Sequence, residues 1–342
     1  MIVRIPRSVS LEVRRYRHPL RGPLRTAHGI TSERDGLLLR LVDAATGRVG
    51  FGEVAPVAGF NAGTLDEASS ALVVLAAERR CEVPRCVAWG LGCALEALKA
   101  DPSVRTALPP VRGAALLPPG LHAFGMLPAL LSAGFDTFKG KIEDAPPDVA
   151  LVWVRCLLDI LPPHARLRLD VNGAWDIMTT ARFVGAIRGE PRIGFLEQPL
   201  PAGGFDAMRL ISKQSGVDIA LDETLCAGEF PLSRFTRWPG TLVVKPALCG
   251  LPPAKLREWI AKRPQGSVVV STVFETAIGL ASLLDLAATL APATVHGFGG
   301  AHLFPEDDPW GYPGLDSPLI HPGRLSDGDR ERIWSQAAVA HH

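Results

Sequence analysis

A chain of 342 residues, 47% of them hydrophobic, is long enough to bury one large core and a smaller companion, so its length predicts two domains. The 36 lysines and arginines nearly balance 35 aspartates and glutamates and lie scattered, which argues against nucleic acid as a partner because no face is ready to neutralise a row of phosphates. The apolar runs stop well short of the ~18 residues of a membrane span, and the arginine-studded start carries no signal-peptide core, so no membrane association and a cytoplasmic location are expected.

From about Val9 to Val54 the pattern is strand-like: Ser10 to Tyr16 roughly alternates, and Gly36 to Asp43 is an aliphatic run closed by a turn at Thr46-Gly47. Leu65 to Arg79 and Ala88 to Lys99 carry apolar residues at helical spacing, and Asp101 to Val111, with prolines at 102, 109 and 110, reads as a linker. Strands followed by helices predict an α+β domain over residues 1–108. The rhythm then changes to eight short aliphatic runs alternating with helical stretches: 113–117, 137–142, 166–171, 194–198, 218–222, 241–245, 267–271 and 294–297. Short, uniform crossovers point to a (β/α) barrel over residues 109–303. An open doubly wound sheet is the alternative, disfavoured because no Gly-x-Gly-x-x-Gly turn follows the first run. The tail, 304–342, is rich in proline, glycine and acid and is expected to return to the first domain.

The six cysteines, at positions 81, 86, 93, 156, 226 and 249, form no C-x-x-C pair and have no histidine at zinc spacing, so they are expected to be reduced and structural. Cys226 draws attention only because it follows a charged pair; a small buried hydrophobe is the expectation.

In a parallel barrel, a charge at the C-terminal end of a strand faces the shared mouth where active sites form. Here five consecutive runs end in Lys139-Gly140-Lys141, Asp170-Val171-Asn172, Glu197-Gln198-Pro199, Asp222-Glu223 and Lys245-Pro246. Steps of 29, 27, 25 and 23 residues separate positions 141, 170, 197, 222 and 245, about one βα unit each. One such charge means little, since loops begin there and charges prefer solvent; five in the order Lys, Asp, Glu, Asp, Lys form a constellation. Three converging carboxylates stay ionised together only around a cation. Oxygen-only donors favour a hard ion, so Asp170, Glu197 and Asp222 are expected to bind Mg²⁺, with Mn²⁺ as a substitute. Lys141 and Lys245 would then flank the α-carbon of a bound small-molecule carboxylate, whose enediolate the metal would stabilise. To act as a base a lysine must be neutral, and burial beside a cation and a second ammonium would lower its pKa. A purely structural ion cluster is the plain alternative.

This set of motifs resembles the muconate-lactonising branch of the enolase superfamily, over essentially the whole chain. The resemblance implies a modified (β/α)7β barrel of TIM type under an α+β capping domain, which would be built from residues 1–108 and the tail 304–342. Within that branch, Gly52-Glu53-Val54-Ala55-Pro56 with Gly59-Phe60, and Gly113 to Pro118, resemble the o-succinylbenzoate synthase group. By that resemblance the reaction is the aromatising dehydration of 2-succinyl-6-hydroxy-2,4-cyclohexadiene-1-carboxylate in menaquinone biosynthesis. Lys141 would be the base and then the acid, Lys245 the charge on the opposite face, and Lys139 a group that tunes Lys141. Asn172 and Glu223 would orient ligands and lysines from behind.

The loop after the seventh run, Ser271-Thr272-Val273-Phe274-Glu275-Thr276, departs from the serine-rich stretch expected there. Ser271 and Thr272 would still meet a substrate carboxylate at a helix N-terminus, with Glu275 as a first-turn acid. In His296-Gly297-Phe298-Gly299-Gly300 the histidine is expected to be structural, and Gly299 would admit a ligand close to the backbone. Thr26, His28, Gly29 and Phe60-Asn61 would cover the mouth from the cap, with a solvent-facing loop residue as the alternative for His28. The rival activities are N-succinylamino acid racemisation and dipeptide epimerisation, which would use the same two lysines. Dipeptide epimerases resemble one another in an Asp-x-Asp motif after the eighth strand, and Gly297-Phe298-Gly299 stands there instead. A catalytically silent barrel would tolerate loss of either lysine, and both are present. Oligomeric state is not legible.

Overall fold

The computed structural model describes residues 1–342 apart from 27–28, 61, 101–107, 143–144, 229–230, 264–265, 301–302, 306 and 341–342. A short strand β1 (Ile2–Arg4) pairs with β5 (Arg80–Glu82). Strands β2 (Val9–Thr26), β3 (Gly29–Asp43), β4 (Val49–Val54) and, from the far end of the chain, β15 (Ala338–Val339) form an antiparallel sheet in the order β15-β2-β3-β4. The turn at Thr46-Gly47 is tight: Gly47, at φ 70°, donates its N–H to the Asp43 carbonyl at 2.7 Å.

Residues 37–42 are aliphatic at almost every position rather than alternating because both faces of β3 are covered. Leu37, Leu39 and Leu41 pack with Leu72, Leu75 and Leu91 from α1 (Leu65–Glu78) and α2 (Arg85–Lys99), while Leu38 faces Phe51 and Trp89 in the cluster that continues into the barrel. Helix α1 is started by a capping box in which Thr64 and Glu67 satisfy each other's backbone N–H. Helix α2 begins three residues earlier than its apolar period suggested, directly after Pro84. It lies so close to β4 that a Cβ on Gly52 would collide with the Gly90 carbonyl oxygen, and one on Gly50 with that of Ala94.

Eight parallel strands follow: β6 (Val111–Leu117), β7 (Thr137–Lys141), β8 (Arg166–Asp170), β9 (Ile193–Glu197), β10 (Ile219–Ala220), β11 (Leu242–Val244), β12 (Val268–Val270) and β13 (Val295–Gly299). Each lies within two residues of its predicted ends. Strand β10 is the shortest because Asp222 leaves the extended conformation to open the next helical turn. The continuous ladder runs β10-β9-β8-β7-β6-β13. Parallel bridges Leu221–Leu242 and Ser271–Gly297 join the β11–β12 pair to its two ends, closing the barrel. The crossovers are α3 (His122–Ser132), α4 (Pro147–Ile160), α5 (Ile177–Ile187), α6 (Phe205–Ser215), the short α7 (Glu223–Cys226), α8 (Pro246–Cys249) with α9 (Pro253–Ala261), and α10 (Ala277–Leu290). Seven crossovers among eight strands give the (β/α)7β arrangement, not the open sheet.

The tail then runs back across the molecule. Strand β14 (Leu319–Ile320) pairs antiparallel with β6, and α11 (Asp327–Gln336) leads to β15 on the edge of the first sheet. Arg14 donates to the Trp334 carbonyl at 2.9 Å and lies over its ring, and Phe51 meets the same ring edge-on. No helix among the described residues is long and apolar enough to cross a membrane.

The close approach of α2 to β4 predicts that Gly52→Ala destabilises by about 1–3 kcal/mol through overpacking and lowers Tm by several degrees. Gly185→Ala, on the exposed side of α5 with nothing near its Cβ direction, should raise stability by about 0.5–1 kcal/mol. Calorimetry of the two variants against wild type measures both.

Candidate active site

Side chains two apart on a strand share a face. Lys139 and Lys141 on β7, Arg168 and Asp170 on β8, and Phe195 and Glu197 on β9 all look into one cavity of about 650 Å³ at the C-terminal ends of the strands. Lys141 is in register with Asp170, and Asp170 with Glu197. Glu197 pairs in turn with Ala220, two residues before Asp222. Lys245 enters from the end of β11 and Ser271 from the end of β12. The cap supplies Gly29, Arg34 and Phe60 to the same cavity.

The charges are interleaved. Lys139 Nζ lies 2.8 Å from Asp170 Oδ2 and 2.8 Å from Glu197 Oε1, and Lys245 Nζ is hydrogen-bonded to Asp222 Oδ2. Asp170, Glu197 and Asp222 are almost wholly buried. Burial and the neighbouring Asp170 push Glu197 up to about 8 against the pull of Lys139. Burial and Asp222 likewise push Glu223 up to about 7, whereas for Asp170 the lysines 139 and 141 overcome burial and hold its carboxyl below the usual range. Burial would neutralise Lys139 and Lys245, but the facing carboxylates win and raise both, so each stays an ammonium in this arrangement. For Lys245 this is the reverse of the lowering a base would need.

Among the described residues no three His, Cys, Asp or Glu side chains stand close enough, as they are, to hold one metal ion. The ammonium of Lys139 bridges two of the acids and that of Lys245 holds the third. The donor set nevertheless fits a hard divalent cation. It is all oxygen, it comes from adjacent strand ends, and burial together with the neighbouring Asp170 disfavours the ionised form of Glu197, which a nearby cation would favour. Asp222 Oδ1 is buried with no hydrogen-bond partner among the described residues, leaving a lone pair for a ligand.

The backbone is bent to hold these groups. Asn172 and Gln198, neither of them glycine, adopt φ of 48° and 39° just after Asp170 and Glu197. Asn172 Nδ2 donates to Glu223 Oε1 at 2.9 Å, and its N–H donates to Asp170 Oδ1 at 3.0 Å. Gln198 Oε1 accepts the N–H groups of Asp222 and Thr224, both at 3.1 Å, so one buried amide joins the strand end bearing Glu197 to the one bearing Asp222.

Of the expected cap contacts, Gly29 and Phe60 line the cavity, Thr26 ends β2, and His28 and Asn61 lie outside the described residues. Ser271, Thr272 and Gly299 line it too, but Ser271 and Thr272 are not at a helix N-terminus: α10 starts at Ala277 with Thr276 as its cap. Glu275 is therefore not in the first turn. Its carboxylate instead folds the loop, accepting from the Val273 N–H at 2.7 Å and from the Thr272 hydroxyl. Phe274 beside it has φ 66° and walls the cavity near Gly300. Sequence reasoning missed Arg34, Arg168 and Phe274. Only Arg168 carried a signal, standing two residues before Asp170 on the same strand face; it donates to the Val295 carbonyl at 2.7 Å with its guanidinium over the Phe195 ring.

Residues 127–303 match the model of the enolase C-terminal domain-like family, and residues 8–98 match that of the MenC N-terminal domain. The chain is 34% identical over 298 residues to the o-succinylbenzoate synthase of Thermosynechococcus vestitus, a match covering 83% of this chain and 90% of that protein. It superimposes on the o-succinylbenzoate synthase structure from Thermosynechococcus elongatus, complexed with Mg in the active site, with a TM-score of 0.79 at 28% identity, covering 96% of this chain and 99% of the other. The substrate-liganded L-Ala-D/L-Glu epimerase of Bacillus subtilis shares the fold at a TM-score of 0.74 and 16% identity, covering 87% of this chain and 91% of that one.

His296, on β13, is fully buried behind the cavity wall. Its Nδ1 accepts the Val270 N–H at 3.0 Å and its Nε2 faces the Ala291 carbonyl at 3.1 Å, which fixes a neutral tautomer. Burial pushes its pKa down to about 4. The unfolded chain therefore takes up this proton first, so the contribution to stability is complete above pH 6.5 and is lost as pH falls from there towards 4. The loss should be on the order of 3 kcal/mol. Urea unfolding at pH 7 and pH 4.5 should show a smaller acid loss for His296→Gln than for wild type; parallel losses would remove His296 as the cause.

Proposed function

This chain belongs to the o-succinylbenzoate synthase family of the enolase superfamily, and on that footing we propose how its own residues carry out the dehydration of 2-succinyl-6-hydroxy-2,4-cyclohexadiene-1-carboxylate to o-succinylbenzoate, a step of menaquinone biosynthesis. The observation that carries the assignment of roles is the convergence of Lys139, Lys141, Asp170, Glu197 and Lys245 on one cavity, with Asp222 held against Lys245. We assign the cap to residues 1–108 with 304–342, and the catalytic barrel to 109–303.

Asp170, Glu197 and Asp222 hold Mg²⁺, with Mn²⁺ as a substitute, while Asn172 and Glu223 orient them from behind. When bound, the ion supplies positive charge against the carboxylate oxygens of the substrate. Half-buried Lys141, as the free amine, takes the proton from the carbon bearing the ring carboxylate, and the C–H electron pair moves into the enediolate. The bond to the neighbouring hydroxyl then breaks. Lys141 returns its proton to that oxygen, water leaves, and the ring gains its third double bond. Lys245, kept cationic by Asp222 and its neighbours, stabilises the negative charge from the opposite face. Lys139 spans Asp170 and Glu197 and sets the field felt by Lys141 two residues away. Ser271, Thr272, Gly299, Gly29 and Phe60, which line the cavity, shape the substrate-binding walls. The racemase and epimerase readings use the same two lysines; what favours the dehydration is Gly297-Phe298-Gly299 standing where dipeptide epimerases resemble one another in an Asp-x-Asp motif.

An absorbance assay of aromatisation with Mg²⁺, run beside N-succinyl amino acids and dipeptides, should show turnover of the cyclohexadiene above all others, loss with chelator and recovery with added Mg²⁺. Faster racemisation or epimerisation would overturn the reading. Lys141→Ala should lower kcat by about 10³-fold or more with circular dichroism and calorimetric Mg²⁺ binding unchanged; wild-type turnover in that variant would remove Lys141 as the base.

A further inference from the structure

The seam between cap and barrel contains a second buried cluster of charges that the chemistry above does not use. Tyr16 on β2 stands opposite Gly36 in the ladder, and its ring fills the space a Cβ there would need. Arg34 and Leu38 flank Gly36 on the same face of β3, and Glu53 of β4 is the partner of Leu38, so the sheet register gathers Tyr16, Arg34 and Glu53. Glu53 reaches across the seam to the start of α10. It accepts from the Thr276 N–H at 3.1 Å, the Thr276 hydroxyl at 2.5 Å and the Gly279 N–H at 3.0 Å, while Tyr16 donates to it at 2.5 Å. A carboxylate of the cap thus caps a helix of the barrel.

Just ahead of that helix, Glu275 holds the loop of Ser271, Thr272 and Phe274 by one carboxylate oxygen only. Its Oε1 is buried and has no hydrogen-bond partner among the described residues. Arg34 is equally incomplete: it donates to the carbonyls of Pro56 at 2.9 Å and Ala55 at 3.3 Å, fixing the cap loop that leads to Phe60, and its Nε is buried with no hydrogen-bond partner among the described residues. The two residues feel each other's charge, since Arg34 favours the ionised form of Glu275 against burial. A buried donor and a buried acceptor of opposite charge, each left unpaired in one cluster, are a mutual demand for a bond that this conformation does not make. The two loops they hold both line the same cavity.

We propose that Arg34 and Glu275 are positioning residues for the reaction, joining through Nε–H and Oε1 when the cavity is filled, so that the Ala55–Phe60 and Ser271–Thr276 walls close on the substrate as one unit. Neither touches the reacting atoms. The pair holds substrate and transition state equally, so its loss acts on KM and leaves kcat nearly unchanged.

This inference rests on the proposed function for its ligand. Hydrogen exchange on the unmodified full chain with Mg²⁺, with and without o-succinylbenzoate as the probe, should show residues 55–60 and 271–276 slowing together. Arg34→Met and Glu275→Gln should each uncouple the two segments and raise KM at least tenfold with kcat within threefold. The double variant should be no worse than the worse single one, and Arg34→Lys, which keeps the charge but lacks the Nε–H, should not restore KM. Independent exchange of the two segments, multiplying single effects, or restoration by Arg34→Lys overturns the proposal. A wild type that turns over its substrate while its loops respond separately sinks the pairing alone, whereas a wild type without turnover sinks the function with it. The exchange measurement needs no variant, so it decides even if the substitutions destabilise the fold.

Discussion

The structure turns on the electrostatic cost of bringing three carboxylates to the ends of adjacent strands and taking them out of water. Unlike-charged lysines from the neighbouring strands, Lys139 and Lys245, meet that cost in part, yet Glu197 is still pushed up to about 8 by burial and by Asp170. Carboxylates so buried and so close to one another suit a bound cation. Against burial, the facing carboxylates, Asp222 first among them, keep Lys245 an ammonium in this arrangement.

Such a cluster acts only if the mouth is dry, and much of the remaining architecture serves to cover it. Along residues 37–41 of β3 the cap sheet is buried on both faces, with its own core against α1 and α2 on one side and a shared core with the barrel on the other. The tail adds a strand to that sheet and packs Trp334 against Phe51 and Arg14, so both ends of the chain hold the cap. Glu53, with burial and Glu275 pushing it up to about 7 and Thr276 and Tyr16 pulling it down, is the polar joint at which cap and barrel meet. Buried charge at the mouth is thus matched by buried charge at the seam.

Much of this was written in the chain in local form. The period of each element, the change from sheet-and-helix to regular βα alternation, and a charged residue at the end of five successive strands are properties of neighbouring residues, and strand polarity converts them into a common mouth. The motifs around Asp170, Glu197 and Asp222 were legible for that reason. Glu275 was misread as a first-turn acid because its role depends on where the following helix begins, and Thr276 with Glu53 moves that start to Ala277. Arg34 and Phe274 gave no signal, since each gains its place from a partner far off in sequence or from a left-handed backbone angle.

By itself the sequence determined the barrel, the order of charges around its rim and the family, because strand period and strand-end position fix which way a side chain points once a parallel barrel closes. Only the tertiary structure decided which charges pair, that Lys139 spans two acids while Lys245 takes the third, and that Arg34 and Glu275 each keep an unpaired atom at the seam. Pairing energies depend on distance and burial, and both are set by contacts between residues far apart in the chain, such as Glu53 and Gly279, 226 positions apart, which no local pattern encodes.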